Sequence, residues 1–178
     1  MLKKYTVEIV KILKKQAIEA KKDAKNPNNG FNNYRQGVLM GYYSIITLLK
    51  HQSFVFCIDQ KELGLADINP EIELLGLHKN PNIESEEDSW AIDLLNEKKI
   101  IGYLSDTIVL LEAQAIEAKK ESDNPKVGSE DYSKGELMAY YRAFSILKEQ
   151  AQATNIDEEK IGLAQIDSEF FTPLKDIH

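Results

Sequence analysis

Apolar residues along the first 25 positions recur at steps of three and four. This spacing puts them on one face of an α-helix, so it predicts an amphipathic helix at the start of the chain. A stretch beginning near residue 100 has similar spacing. The apolar positions of the two stretches are Leu2, Tyr5, Ile9, Ile12, Leu13, Ala17 and Ala20, and Ile100, Tyr103, Leu110, Leu111, Ala115 and Ala118.

Two further predicted helices, over residues 34–50 and 132–148, are apolar around most of their circumference. Such a helix is usually covered on more than one side, so we expect this pair at the centre of the protein. Small residues in both segments would let the two backbones approach closely. They are Gly37, Gly41, Gly135 and Ala139.

Loops and a short helix complete each half of the pattern. The segments "KNPNNGFNN" and "SDNPKVGSED" contain Pro, Gly and Asn, which break helices, between the two long helices of each half. After each second long helix an aspartate, Asp59 or Asp157, stands at the predicted N-cap of a short helix. We expect these short helices to end near Gly64 and Gly162.

The two halves also share sequence. "QAIEAKK" occurs at residues 16–22 and again at residues 114–120. An ungapped alignment of residues 16–76 with residues 114–174 contains 26 identities over 61 positions. This self-similarity predicts a tandem duplication.

These patterns together predict the architecture. We expect an all-α protein in which two copies of a helical hairpin plus a short helix pack as one pseudo-twofold bundle. Residues 1–178 would form one domain, with one repeat at 1–76 and the other at 99–178. Residues 77–98 would be a connector carrying an extra helix.

The connector and one apolar run distinguish the halves. "SEEDSWAIDLLNEKK" predicts an amphipathic helix that contains Trp90, and "SFVFC" at residues 53–57 is matched in the second half by the polar "AQATN". We expect Trp90 to pack on Phe54 and Phe56. The alternative is that Phe54 and Phe56 form a partner-binding patch.

Charge narrows the class of function. The chain carries a net charge of −7, which disfavours nucleic acid as a partner. Residues 1–25 nevertheless carry +5 and the rest of the chain −12. The basic N-terminal helix face has two interpretations, a solvated lysine-rich surface and a local contact surface.

The cellular location follows from absences in the sequence. No apolar run of about 18 residues predicts a membrane span, so we expect no membrane association. The start "MLKKY" lacks the apolar stretch of a secretory signal, and the single cysteine, Cys57, cannot form an internal disulfide. We therefore expect a cytoplasmic protein, with Cys57 buried in its apolar run. The oligomeric state does not follow from the sequence.

Candidate catalytic and metal-binding chemistry is sparse. The three histidines, His51, His78 and His178, do not have the spacing of metal ligands, and neither a phosphate-binding loop nor a nucleophile elbow occurs. Six duplicated tyrosines on the central helices are interpreted as packing residues whose hydroxyls bind loop asparagines or Gln16 and Gln114. We expect no catalytic residue, no cofactor and no metal.

In size, acidity, helicity and lack of catalytic motifs, the chain resembles the small immunity proteins that neutralise toxins delivered between bacterial cells. The resemblance implies a non-enzymatic protein that binds a basic toxin domain, since an acidic surface speeds encounter and blocks the partner's substrate-binding face. The candidate partner contacts are acids of the connector and of the turn after the last long helix: Glu84, Glu86, Glu87, Asp88, Asp157, Glu158 and Glu159.

The alternative is a helical-repeat adaptor or scaffold protein. The Tyr-rich second helix is similar to tetratricopeptide-type hairpins, but the offset between the copies is 98 residues rather than the roughly 34 of that family.

Overall fold

A computed structural model describes residues 1–26, 32–77 and 96–166. Within these ranges the secondary structure consists of six α-helices and one turn of 3₁₀ helix, with no strand. The all-α prediction is confirmed. The elements are α1 (Leu2–Lys25), α2 (Asn32–Val55), α3 (Gln60–Leu63), α4 (Pro70–Glu73), α5 (Glu97–Asp123), α6 (Glu130–Ala153) and the 3₁₀ turn (Glu159–Ile161).

Helices α2 and α6 form the centre of the bundle, as their all-round apolar character predicts. They cross where Gly37 meets Gly135. A Cβ added to Gly37 would overlap the carbonyl oxygen of Tyr132, and one added to Gly135 would overlap that of Tyr34. Backbone therefore packs directly against backbone here, and the predicted close approach is confirmed.

The first helix of each half flanks this centre and is held by a buried tyrosine. Tyr5 of α1 donates a hydrogen bond to the carbonyl of Leu147 in α6, with an oxygen–oxygen distance of 3.0 Å. Tyr103 of α5 donates to the carbonyl of Leu49 in α2 at 3.2 Å. Each first helix is thus tied to the second helix of the other half, which joins all four long helices into one core.

Other contacts recur at the same offset of 98 residues. The Nζ atoms of Lys50 and Lys148 donate to the carbonyls of Ile68 and Ile166, at 2.6 and 3.0 Å. Gly64 and Gly162 end the short elements with φ of 72° and 76°. Such conformations cost glycine little because it has no Cβ. The two halves therefore share local geometry, while their origin by duplication stays a prediction.

The short elements differ from expectation in detail. In both halves the aspartate accepts a hydrogen bond from the amide two residues later, but the second half forms only a 3₁₀ turn, and its N-cap is Glu158 rather than the predicted Asp157. Helix α4 was not predicted. It begins at Pro70, and the side chain of Asn69 accepts a hydrogen bond from the amide of Ile72 at 3.2 Å. Proline suits this first helical position because it has no amide hydrogen to satisfy.

The apolar run at the end of α2 corrects the prediction for Cys57, which is exposed rather than buried. Helix α2 ends at Val55, and Cys57 adopts a φ of 48°, so the run turns as it leaves the helix. Phe56 turns inward, 6.3 Å between ring centroids from Tyr103 in an edge-to-face contact, while Phe54 stays 54% exposed. The predicted packing of Trp90 on this run lies outside the described residues.

Candidate functional site

The acids at 157–159 lie in the turn that follows α6. The carboxylate of Asp157 accepts a hydrogen bond from the amide of Glu159 at 3.0 Å, which satisfies a free donor at the start of the 3₁₀ turn. In the first half, Asp59 accepts from the amide of Lys61 at 2.8 Å in the same way. Asp157 therefore has a structural role that the fold uses twice.

Glu158 is half-buried and lies against α1 and α6. Its carboxylate accepts a hydrogen bond from Nε2 of Gln152 at 3.5 Å, and its backbone carbonyl accepts from the amide of Leu163 at 2.8 Å. Burial raises the pKa of the Tyr5 hydroxyl, and the negative charge of Glu158 raises that pKa further. Glu158 thus has a partly fixed position, whereas Glu159 is exposed.

An ion pair connects this turn to the start of α5. Nζ of Lys160 lies 2.7 Å from a carboxylate oxygen of Glu97, and this hydrogen bond lowers the pKa of Glu97. The first half has a pair in a similar place with the charges exchanged, Lys3 with Glu62 at 3.4 Å. Both pairs are exposed, so solvent screens them and they add little to stability.

The turn therefore keeps its aspartate hydrogen bond and its terminal glycine in both halves but changes its charge. The first half has the sequence Asp-Gln-Lys-Glu at residues 59–62, and the second has Asp-Glu-Glu-Lys at residues 157–160. The side chains of Glu158 and Glu159 are not required to form the turn, since Gln60 and Lys61 form it equally well. We name the side chains of Glu158 and Glu159 the acidic turn.

The remaining candidate acids, Glu84, Glu86, Glu87 and Asp88, lie outside the described residues. In sequence they precede Asn96, the N-cap of α5, by eight to twelve positions. Lys160, which follows the acidic turn in sequence, forms an ion pair with Glu97 at the N-terminal end of α5.

A second surface feature, of opposite charge, lies in the first half. A shallow groove of about 410 Å³ is lined by Val7, Lys11, Lys14, Lys61, Gly64, Ala66 and Asp67. Nζ of Lys14 donates to the carbonyl of Gly64 at 2.8 Å and also binds the carboxylate of Asp67. The hydrogen bond from Lys14 lowers the pKa of Asp67.

The sequence anticipated only part of this groove. The excess of lysines in residues 1–25 suggested a basic surface, but Lys61 and Asp67 join it through folding. Lys61 extends its charge into solvent, whereas Lys14 is paired with Asp67 and the exposed Lys11 is paired with Glu8 at 3.4 Å. The groove can therefore attract an acidic group through Lys61, and through Lys11 if that side chain exchanges Glu8 for the ligand.

Of the duplicated tyrosines, Tyr42 and Tyr140 are buried in the core, and one of the predicted Tyr–Gln pairs is confirmed. The hydroxyl of Tyr140 donates to Oε1 of Gln114 at 3.3 Å. The hydroxyl of Tyr43 instead donates to the carboxylate of Glu71 at 3.4 Å. The hydroxyl of Tyr42 is buried beside the side chain of Arg142, but it makes no hydrogen bond of ordinary geometry among the described residues. Burial raises the pKa of the Tyr42 and Tyr140 hydroxyls to about 12. At Tyr42 the nearby Arg142 opposes this rise but does not cancel it.

Two searches of the described ranges found nothing. Within residues 1–26, 32–77 and 96–166, no group of three or more His, Cys, Asp and Glu side chains has a geometry that could hold a metal ion. None of the helices in those ranges is both long enough and apolar enough to cross a membrane.

Comparison with known proteins gave no relative: no family model, no curated protein and no solved structure matches this chain.

Proposed function

We propose that this chain is a non-enzymatic protein-binding protein, and most specifically an immunity protein that neutralises a cognate bacterial toxin by binding it. The observation that carries the proposal is the acidic turn. The two halves share the aspartate hydrogen bond of this turn and its terminal glycine, yet only the second half adds Glu158 and Glu159. Charges that the fold does not need are available for a partner.

The charge of the whole surface supports a basic partner. Residues 1–26 and 32–77 contain 11 Lys and Arg against 8 Asp and Glu, a net of +3. Residues 96–166 contain 9 against 13, a net of −4. The negative half would draw a basic toxin domain toward the acidic turn, because opposite potentials steer encounter and raise the association rate.

The connector adds acids that precede the N-terminal end of α5 in the sequence. Glu84, Glu86, Glu87 and Asp88 contribute four negative charges before Asn96. We propose that they act with the acidic turn in binding the partner, in the way that complementary rim charges act at other interfaces.

The experiment is capture of the partner from the source organism, followed by titration against charge-removal variants. Glu158→Gln with Glu159→Gln removes the acidic turn. The matched control, Glu130→Gln with Asp131→Asn, removes two exposed charges at the opposite end of α6, about 35 Å away. We expect the first variant to lower the association rate with little change in melting temperature. The control should leave the association rate unchanged, although it can lower the melting temperature because both of its acids lie in the first turn of α6.

A second variant tests the connector. Replacing its four acids with Gln or Asn should lower the association rate further, and added salt should reduce the rate for the parent protein more than for the variants. Equal rates for parent and all variants would remove the acidic surface from the interface. A captured ligand that is a small metabolite would contradict the proposal as a whole.

An adaptor or scaffold protein is the second candidate, and the basic groove favours it. The groove, with Lys11 and Lys61, lies in the first half and the acidic turn in the second, so two partners of opposite charge could bind at once. An adaptor predicts two captured proteins, one of which is lost on Lys11→Gln with Lys61→Gln. An immunity protein predicts one captured protein, which that variant retains.

A further inference from the structure

The outer face of α5 carries exposed apolar side chains in its middle. Val109 is 59% exposed, Leu110 is 40% exposed and Ile116 is 37% exposed. Ala113 is also exposed and lies between them. Residues 109, 113 and 116 are spaced four and three apart, so they form one line along the helix. We name Val109, Ala113 and Ile116 the α5 stripe.

The matching face of α1 shows that the fold does not require this stripe. The positions 98 residues earlier than Val109 and Ala113 hold Lys11 and Lys15, both exposed, whereas Ile116 is matched by Ile18, which is 39% exposed. Polar residues are therefore compatible with this place on a first helix. Apolar side chains left in solvent where charged ones would serve are typical of an interaction surface.

The charges around the stripe indicate what covers it. Asp106 and Lys120 are exposed on the same face, each seven residues from Ala113 and on opposite sides of it. Turning the helix end over end about Ala113 therefore exchanges a negative position with a positive one. A face with this property is complementary to itself.

We propose that the α5 stripe binds the α5 stripe of a second copy of this chain, with the two helices antiparallel about a twofold axis at Ala113. Ile116 of each copy then lies opposite Leu110 of the other, and Val109 lies opposite Glu117 and beside Ile116. The small side chain of Ala113 lets the helices approach at the axis. Asp106 of each copy lies opposite Lys120 of the other, at the two ends of the contact.

Existing contacts permit this arrangement. Nζ of Lys120 binds a carboxylate oxygen of Glu117 at 2.9 Å within its own helix, with both side chains about two-thirds exposed, so Lys120 can turn toward Asp106 of a second copy. Asp106 has no hydrogen bond or ion pair among the described residues. The α1 face carries the same end charges, Glu8 and Lys22, but it could not pair in this way because Lys15 of one copy would face Lys15 of the other at its centre.

The size of the stripe sets the expected strength. One pair of helices in contact over about four turns buries less area than standard protein–protein interfaces, so the dimer belongs to the weak class. We expect a dissociation constant in the micromolar range, with dimer appearing as concentration rises. The α5 stripe shares no residue with the acidic turn, so this inference does not depend on the proposed function.

The first test measures mass against concentration by sedimentation velocity. We expect the parent protein to shift from monomer to dimer. Ala113→Glu places two carboxylates face to face at the axis and should raise the dissociation constant at least about 10-fold, since like charges at an interface cost more than 1.4 kcal/mol. Lys15→Glu puts the same side chain at the equivalent position of α1 and should leave the dissociation constant unchanged.

The second test exchanges the end charges. Asp106→Lys alone and Lys120→Asp alone each create two like-charged pairs and should weaken the dimer, whereas the double variant should restore it. Within one chain the two residues are 14 positions apart, about 21 Å along the helix, so they cannot rescue each other. Rescue by the double variant therefore reports contact between two copies in the antiparallel arrangement.

Three results would overturn the proposal. The first is a parent protein that stays monomeric at every concentration reached. The second is a dimer that Ala113→Glu does not weaken, which would place the interface elsewhere. The third is a monomer whose melting temperature falls on Ala113→Glu but not on Lys15→Glu, which would mean that another part of the same chain covers the stripe.

Discussion

Replacing either glycine at the crossing of α2 and α6 by alanine tests the centre of the fold. In an ordinary helix Gly→Ala stabilises by about 1 kcal/mol, because alanine has the better helix propensity. At Gly37 the added Cβ would overlap the carbonyl oxygen of Tyr132 and lie 2.9 Å from the amide nitrogen of Glu136. At Gly135 it would overlap the carbonyl oxygen of Tyr34 and lie 3.0 Å from the amide nitrogen of Val38.

The obstacle at both positions is backbone, which cannot rotate away as a side chain can. The two helices must therefore separate, and the buried tyrosines that tie α1 and α5 to them must shift. Overpacking in a core costs about 1–3 kcal/mol, and we take about 3 here because backbone opposes backbone. After the propensity gain of about 1 kcal/mol, each variant should lose about 2 kcal/mol.

Thermal and urea unfolding of both variants provide the assay. For a chain of this size, 2 kcal/mol corresponds to a fall in melting temperature of about 4–8 °C. Gly102→Ala is the control, because its Cβ would meet only the edge of the half-buried Phe56 ring, 2.8 Å away. That ring can move, so we expect a change of less than about 1 kcal/mol.

The result that refutes this reasoning is an increase in melting temperature for Gly37→Ala or Gly135→Ala. It would mean that propensity dominates and that the helices are not in backbone contact. Clearly unequal losses of unfolding free energy at the two positions would contradict the pseudo-twofold geometry of the crossing.

Three further predictions follow from single side chains. Tyr5→Phe and Tyr103→Phe should each cost about 0.5–1.5 kcal/mol in chemical unfolding, because each removes one buried hydrogen bond to a carbonyl. Tyr42→Phe should cost less than Tyr140→Phe, because the hydroxyl of Tyr42 lies beside Arg142 without a hydrogen bond of ordinary geometry, whereas Tyr140→Phe loses a hydrogen bond worth about 0.5–1.5 kcal/mol. Burial raises the pKa of Glu136, so its favourable contribution at low pH is lost as pH rises through the folded-state pKa. Glu136→Gln should therefore raise the melting temperature at pH 7 and have no effect below about pH 4, where the carboxyl is protonated in both states.

The sequence predicted the features that depend on local pattern. Stripes of apolar residues predicted α1 and α5, and an aspartate before a polar turn predicted the cap at Asp59 and the equivalent hydrogen bond at Asp157. The close approach at Gly37 and Gly135 followed from small residues at matching places on two apolar helices. Each of these patterns can be recognised within a short segment of the sequence, without knowing which distant segments it contacts.

Features made by distant segments could not be predicted. The groove depends on Lys14 reaching Gly64 and Asp67 from 50 and 53 positions away. The position of Glu158 beside Tyr5 joins opposite ends of the chain. The apolar neighbours of Cys57 predict a buried side chain, but the turn after Val55 exposes it. The hydrophobic pattern does not indicate which residue adopts a left-handed φ, so it could not predict this turn.

The two ion pairs with reversed charges can prevent the short element of one half from docking on the first helix of the other half. Lys3 binds Glu62 in the first half, and Glu97 binds Lys160 in the second. If the 3₁₀ turn docked on α1 in place of α3, Lys160 would meet Lys3. If α3 docked on α5 in place of the 3₁₀ turn, Glu62 would meet Glu97. Misassembly is a characteristic failure of repeat proteins, and like charges at each wrong junction oppose it. Surface charges that add little to the stability of the native fold thus discourage its nearest competitor.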